Sequence, residues 1–340
     1  MKTAKILVIS NRVCNSECTS DDLFGQDFNQ SGPSELRVAE AKFDQQTSRW
    51  CLNLLPEDRS QPDNVCQESN KIFQDIVDGI SKKNEEIEKW VIFVPGYCSP
   101  CLEGLNKSLQ LQEYHGVNVI LFSWPSDPRE PVLNPIESYR RTQEAARISA
   151  VALDRVLSSL NRVFVQPARL ASRPGHFKFS LLAHSLGNYL IQNLVQLIPI
   201  HEANKIQFDN IILHQPDVDL EGSQFWIKSM DAEGHKYVTT NEYDETLRYV
   251  SNFVNPERLG QVTHHVGLAG EIVHVDFTKA RHINNEHWFF GNKIDNTIIN
   301  SFCTKVLRGE PGENSLFIDE NEEGRYQAFP FEHFPTTQRN

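Results

Sequence analysis

Phe179-Ser-Leu-Leu-Ala-His-Ser-Leu-Gly-Asn-Tyr-Leu-Ile191 changes its period in the middle. Phe179 to Ala183 is a short apolar run broken only by Ser180, which reads as a strand buried in a parallel sheet. From Gly187 onward, Leu190, Ile191, Leu194, Val195 and Ile198 recur at helical spacing. Between them lies Ala183-His-Ser-Leu-Gly187, a small-x-Ser-x-small turn with Ala in place of the usual first Gly. Small residues two positions either side of the serine let the strand reverse sharply into the helix. Ser185 is then held in a strained conformation with its hydroxyl clear of the sheet. The helix N-terminus beneath it favours developing negative charge. A serine so placed is a candidate nucleophile. The plainer alternative is an N-capping serine on an ordinary strand-helix turn.

Strand and helix patterns alternate on both sides of this turn. Lys5 to Ser10, Trp90 to Val94, Val117 to Phe122, Phe208 to His214 and Lys236 to Thr240 read as strands, and Glu271 to Asp276 reads as the last strand. Leu36 to Phe43 and Trp50 to Leu55 suggest an antiparallel start to the sheet. Helices are expected around Ile72 to Ile80, Leu102 to Tyr114, Tyr139 to Leu160, Glu245 to Phe253 and Asn292 to Leu307. Polar Asn11 to Ser34 reads as a long loop, and Leu220 to Gly234, with Phe225 and Trp226, could form a lid. No repeat or linker divides the core. The expected fold class is α/β: a mostly parallel central sheet with helices on both faces. It forms a single domain over 1–308, followed by an acidic C-terminal tail at 309–340.

Composition narrows the function. The formal net charge of −12 over 340 residues argues against nucleic acid or an anionic membrane as a partner, since both attract basic proteins. No stretch approaches the roughly 18 apolar residues of a membrane span. The N-terminal run Ile6-Leu-Val-Ile9 is short for a secretory segment and reads as a first strand, so a cytoplasmic location is expected. Seven scattered cysteines do not make a disulfide framework. Cys98-Ser-Pro-Cys101 has redox-pair or half-zinc spacing, but no second pair of that spacing exists, so two reduced loop thiols are expected.

A serine nucleophile needs a base to take its proton and an acid to hold that base, in the chain order Ser, acid, His. The base must come late. His282 and His287 lie in Arg281-His-Ile-Asn-Asn-Glu-His-Trp-Phe-Phe-Gly291. His287 is favoured because aromatic residues and a Gly follow it, which suits a loop packed at the sheet's carboxyl edge. His264, His265 and His274 read as structural. Candidate acids are Asp244, after one strand, and Asp217 or Asp219, after the preceding one. An oxyanion hole takes one N–H from Leu186, the residue after the serine. The other comes from Tyr97, where Pro95-Gly-Tyr97 follows an early strand.

Four motifs carry a resemblance: Val91-Ile-Phe-Val-Pro-Gly-Tyr97, Phe122-Ser-Trp-Pro-Ser126, Leu182-Ala-His-Ser-Leu-Gly-Asn188 and Pro216-Asp-Val-Asp219; Ile9-Ser-Asn-Arg12 also fits. In these the chain resembles the uncharacterised esterase/lipase-like family of α/β-hydrolases found mostly in bacteria, over roughly 5–307. The resemblance implies an α/β-hydrolase fold, an acid at Asp244 after the penultimate strand and a base at His287. It departs at Pro95-Gly96, where the family usually has His-Gly; Pro removes an N–H and a side-chain donor but leaves the Tyr97 amide free.

The resulting expectation is a serine esterase or lipase-like hydrolase. It works through an acyl-enzyme with Ser185, His287 and Asp244, on a small-molecule or lipid ester. No cofactor, metal, nucleic acid or stable membrane insertion is expected. An amidase, peptidase or acyltransferase on the same residues, and a non-catalytic binding protein of the same fold, are the alternatives.

Overall fold

A computed structural model describes residues 5–55, 87–126, 134–161, 177–197, 207–252, 257–262, 272–291, 295–318 and 325–327. The helix expected around Ile72 to Ile80, together with His264 and His265, lies outside them. The central feature is a sheet of eleven described strands. Its strands are β1 (Lys5–Ser10), β4 (Arg37–Asp44), β5 (Arg49–Leu54), β6 (Glu88–Val94), β7 (Asn118–Ser123), β8 (Phe177–His184), β9 (Ile211–His214), β10 (Lys236–Thr240), β11 (Ile272–Asp276), β12 (Phe317–Ile318) and β13 (Arg325–Gln327). They run in the order β12-β13-β11-β10-β9-β8-β6-β7-β1-β4-β5. All pairings from β1 through β7, β6, β8, β9 and β10 to β11 and β13 are parallel; β1 with β4, β4 with β5 and β12 with β13 are antiparallel.

The parallel strands are apolar on both faces because both faces are covered. In β6, Ile92 and Val94 pack into one layer with α2 (Pro135–Leu160) and α3 (Gly187–Leu197). Val91 and Phe93 pack into the other with α1 (Cys101–His115) and α6 (Thr297–Leu307). Sequence-local chemistry sets the helix ends. Asn134 caps α2 through its side chain, which accepts from the Ile136 amide, with Pro at the first helical position. Gly116, at φ 64°, ends α1 in the left-handed conformation that a side chain disfavours. Among the described residues no helix is long and apolar enough to cross a membrane.

Two expectations are corrected. Asn11 to Ser34 is not one loop: β2 (Arg12–Cys14) and β3 (Phe24–Phe28) form an antiparallel pair. Buried Leu23 and Phe24 pin this hairpin, too short to show a period. Glu271 to Asp276 is not the last strand, since β13 adds in parallel beside β11 and β12 pairs with β13. Within Leu220 to Gly234, α4 (Ser223–Ser229) buries Trp226 and Ile227 in the layer that holds α3.

Candidate active site

The turn after β8 puts Ser185 at φ 54°, a left-handed conformation rare for a residue with a side chain. Crowding explains the small neighbours. A Cβ on Gly187 would meet the Val94 oxygen at 2.5 Å and the Pro95 oxygen at 2.7 Å. The Ser185 amide donates to the His214 oxygen at 3.0 Å, and its oxygen accepts from the Asp217 amide at 3.2 Å, so the elbow is laced to the end of β9. Ser185 is 4% exposed. Its hydroxyl has no hydrogen-bond partner among the described residues, and neither do the backbone amides of Leu186 and Tyr97.

The Pro95–Pro100 loop is held from below. Trp124 Nε1 donates to the Pro95 oxygen at 2.9 Å. The buried Arg12 guanidinium donates to the Ser99 oxygen (2.8 Å), the Gly25 oxygen (3.1 Å), Ser123 Oγ (3.0 Å) and Ser126 Oγ (3.3 Å). The Ile9–Arg12 and Phe122–Ser126 motifs thus converge on the loop that carries Tyr97. Sequence reasoning gave neither Arg12 nor Trp124 a role; the two motifs were the only signal.

His287 sits in the loop after β11. Its Nδ1–H donates to Asp244 Oδ2 at 2.5 Å. A carboxylate can only accept, so Nδ1 carries the hydrogen and Nε2 of the neutral ring is left as an acceptor. That Nε2 is buried and unpartnered among the described residues. Asp244 is itself fully buried after β10. Its Oδ1 caps α5 (Glu245–Ser251) by accepting from the Leu247 amide at 3.0 Å. Gln215, with its amide nitrogen turned inward, reaches Asp244 Oδ2 at 3.2 Å and the Gly260 oxygen at 3.0 Å. The loop packs by its aromatics: His287 lies 4.6 Å from the His184 ring, and Trp288 lies 5.0 Å from it. His282, at φ 69°, is exposed at the far end of the same loop.

Asp217 has other partners. Its Oδ2 accepts from Tyr139 Oη at 2.9 Å, and Arg258 Nε lies 3.2 Å from its Oδ1 in an ion pair too poorly aligned for a hydrogen bond. Arg258 also donates to Asp219 at 2.5 Å. Burial pushes the Asp217 carboxyl above the ordinary range, with Arg258 and the Tyr139 hydroxyl opposing. His184 and His214 are held well below the usual imidazole value, first by burial. Among the described residues no group of three His, Cys, Asp or Glu is arranged to hold a metal ion; His184 packs ring to ring with both His214 and His287. Cys98, exposed, and Cys101, buried at the start of α1, are not joined in a disulfide.

Residues 70–285 match the family model described as an alpha/beta hydrolase of unknown function (DUF900). The chain belongs to that family. No curated protein matches it. In an α/β hydrolase the reacting groups gather beyond the carboxyl ends of the parallel strands. Ser185 after β8, Asp244 after β10 and His287 after β11 all lie at that edge of this hydrolase. Of the candidate acids, Asp244 meets His287, while Asp217 and Asp219 meet Arg258.

Proposed function

We propose that the protein is a serine hydrolase that cleaves a carboxylic ester through an acyl-enzyme. Ser185 is the nucleophile, His287 the general base and Asp244 the acid that orients it. The single observation that carries this reading is the Asp244–His287 hydrogen bond, which leaves the buried His287 Nε2 with an open lone pair beside the elbow. Ser185 Oγ adds to the ester carbonyl while its proton passes to Nε2. The Leu186 and Tyr97 amides, both without an acceptor, receive the charge that grows on the carbonyl oxygen. His287 then returns the proton to the departing alkoxide. In the second half it takes a proton from water, whose oxygen attacks the acyl carbon and frees Ser185. Ser185 and His287 are not hydrogen-bonded to each other here; such contacts tighten when substrate binds.

The test uses short-chain p-nitrophenyl esters and a fluorophosphonate probe on the parent and on Ser185→Ala. The parent should turn over ester and take up the probe, and Ser185→Ala should lose turnover by about 10⁴- to 10⁶-fold. Equal labelling of both proteins would remove Ser185 as nucleophile. No labelling and no turnover in the parent would favour a binding protein on this fold.

A further inference from the structure

We propose that His184 is a positioning residue that ties the base to the nucleophile: its Nε2–H holds the backbone oxygen of His287, at 3.1 Å. The inference rests on the assignment of Ser185 and His287 above. A carbonyl oxygen only accepts, so Nε2 of His184 carries the hydrogen and its Nδ1 is bare. That Nδ1 is buried and unpartnered among the described residues, so the ring is a neutral, single tautomer. The ring is 3% exposed and is wedged 5.3 Å from His214, 4.6 Å from His287 and 5.0 Å from Trp288.

The other anchors of the base loop run elsewhere. Asn241 on the β10 side donates to the Asn284 and Glu286 oxygens. His115 on α1 bonds the Phe290 oxygen, and Trp288 donates to Gln110 on the same helix. None of these hydrogen bonds reaches the elbow; Trp288 meets it only by ring packing against His184. His184 precedes Ser185 in the chain, so its contact with His287 sets the distance between the two reacting side chains directly. Its neutrality matters as well. When His287 becomes an imidazolium during turnover, a second charge 4.6 Å away would repel it. Burial, with the nearby Lys107, His287 and His214, keeps His184 from taking that charge.

Three substitutions separate this from mere filling of space. His184→Phe keeps the shape and removes the donor. His184→Gln places an amide N–H close to the position of Nε2. His184→Asn places it near Nδ1, out of reach. Melting temperatures, kcat and KM on one ester, and the downfield proton resonance of the short His287–Asp244 bond are measured for each. Displacing the base by about an ångström should lower kcat by about 100-fold in Phe and Asn, with KM nearly unchanged. Gln should recover to within several-fold. The resonance should persist in the parent and Gln and broaden away in Phe and Asn. Should Phe not fold, Gln against Asn carries the comparison. Parental kcat and an intact resonance in Phe or Asn, or equal impairment of Gln and Asn at matched melting temperatures, would overturn it. A parent that shows the resonance pattern across these variants but turns over no ester would uphold the tie and sink the esterase reading instead.

Discussion

Gly96 lies so close to Ser185 that a Cβ on it would sit 2.6 Å from the serine's own Cβ and 2.9 Å from the His184 oxygen. Both contacts are to atoms fixed by the elbow, so neither can swing aside. Gly96→Ala must displace either the loop that carries the Tyr97 amide or the elbow. Turnover should fall by about 100-fold or more, as for a misplaced reacting group. A Gly96→Ala protein with parental kcat would show that the two segments can separate freely.

Asp244→Asn and Asp217→Asn should fail in different ways. Asn at 244 can still cap α5 through its oxygen, so folding changes little, but the imidazole loses its charged partner. Turnover should drop by about 10³- to 10⁴-fold. Among the described residues, Asn at 217 leaves the buried Arg258 with Asp219 as its one carboxylate partner, beside the Tyr139 hydroxyl. Removing one partner of a buried pair costs about 3–5 kcal/mol, so this variant should melt early yet keep most of its activity per folded molecule. Melting curves and ester kinetics on both variants check the split; the reverse ranking would move the acid to Asp217.

Acid should destabilise the fold through its buried neutral histidines. His115 donates from Nε2 to the Phe290 oxygen and accepts from Thr304 at Nδ1, and burial lowers it to about 4. The unfolded chain, with an ordinary imidazole near ~6.5, binds more protons between those values, so stability falls as pH drops from ~6.5 and stops falling below about 4. The contribution at His115 is about 3 kcal/mol. His184 and His214 act in the same direction. Denaturant titrations across that window should give a shallower pH slope for His115→Gln than for the parent. An unchanged slope would place the proton uptake elsewhere.

The sheet was legible wherever burial on both faces wrote a continuous apolar run, as in Trp90 to Val94 and Phe179 to Ala183. The elbow was legible because its steric demand falls on residues two positions from the serine. What escaped was short or non-local. The β2–β3 hairpin and β12–β13 have two to five residues per strand, too few for a period. Chain order nominated Asp217, Asp219 and Asp244, and only the fold shows which carboxylate faces His287. The contacts of Arg12, His184 and Gln215 join segments up to 114 positions apart and leave no local pattern to read.

The family match spans 70–285, and the sheet order shows what lies beyond those limits. β1 covers one edge of β7, with β4 and β5 outside it, and all three precede residue 70. Arg12, which grips Ser99, goes with them. At the other limit His287 falls two residues outside, along with α6. A fragment trimmed to the recognised segment would present the bare backbone of β7 as a template for self-association. It would also carry Ser185 without the histidine assigned to serve it.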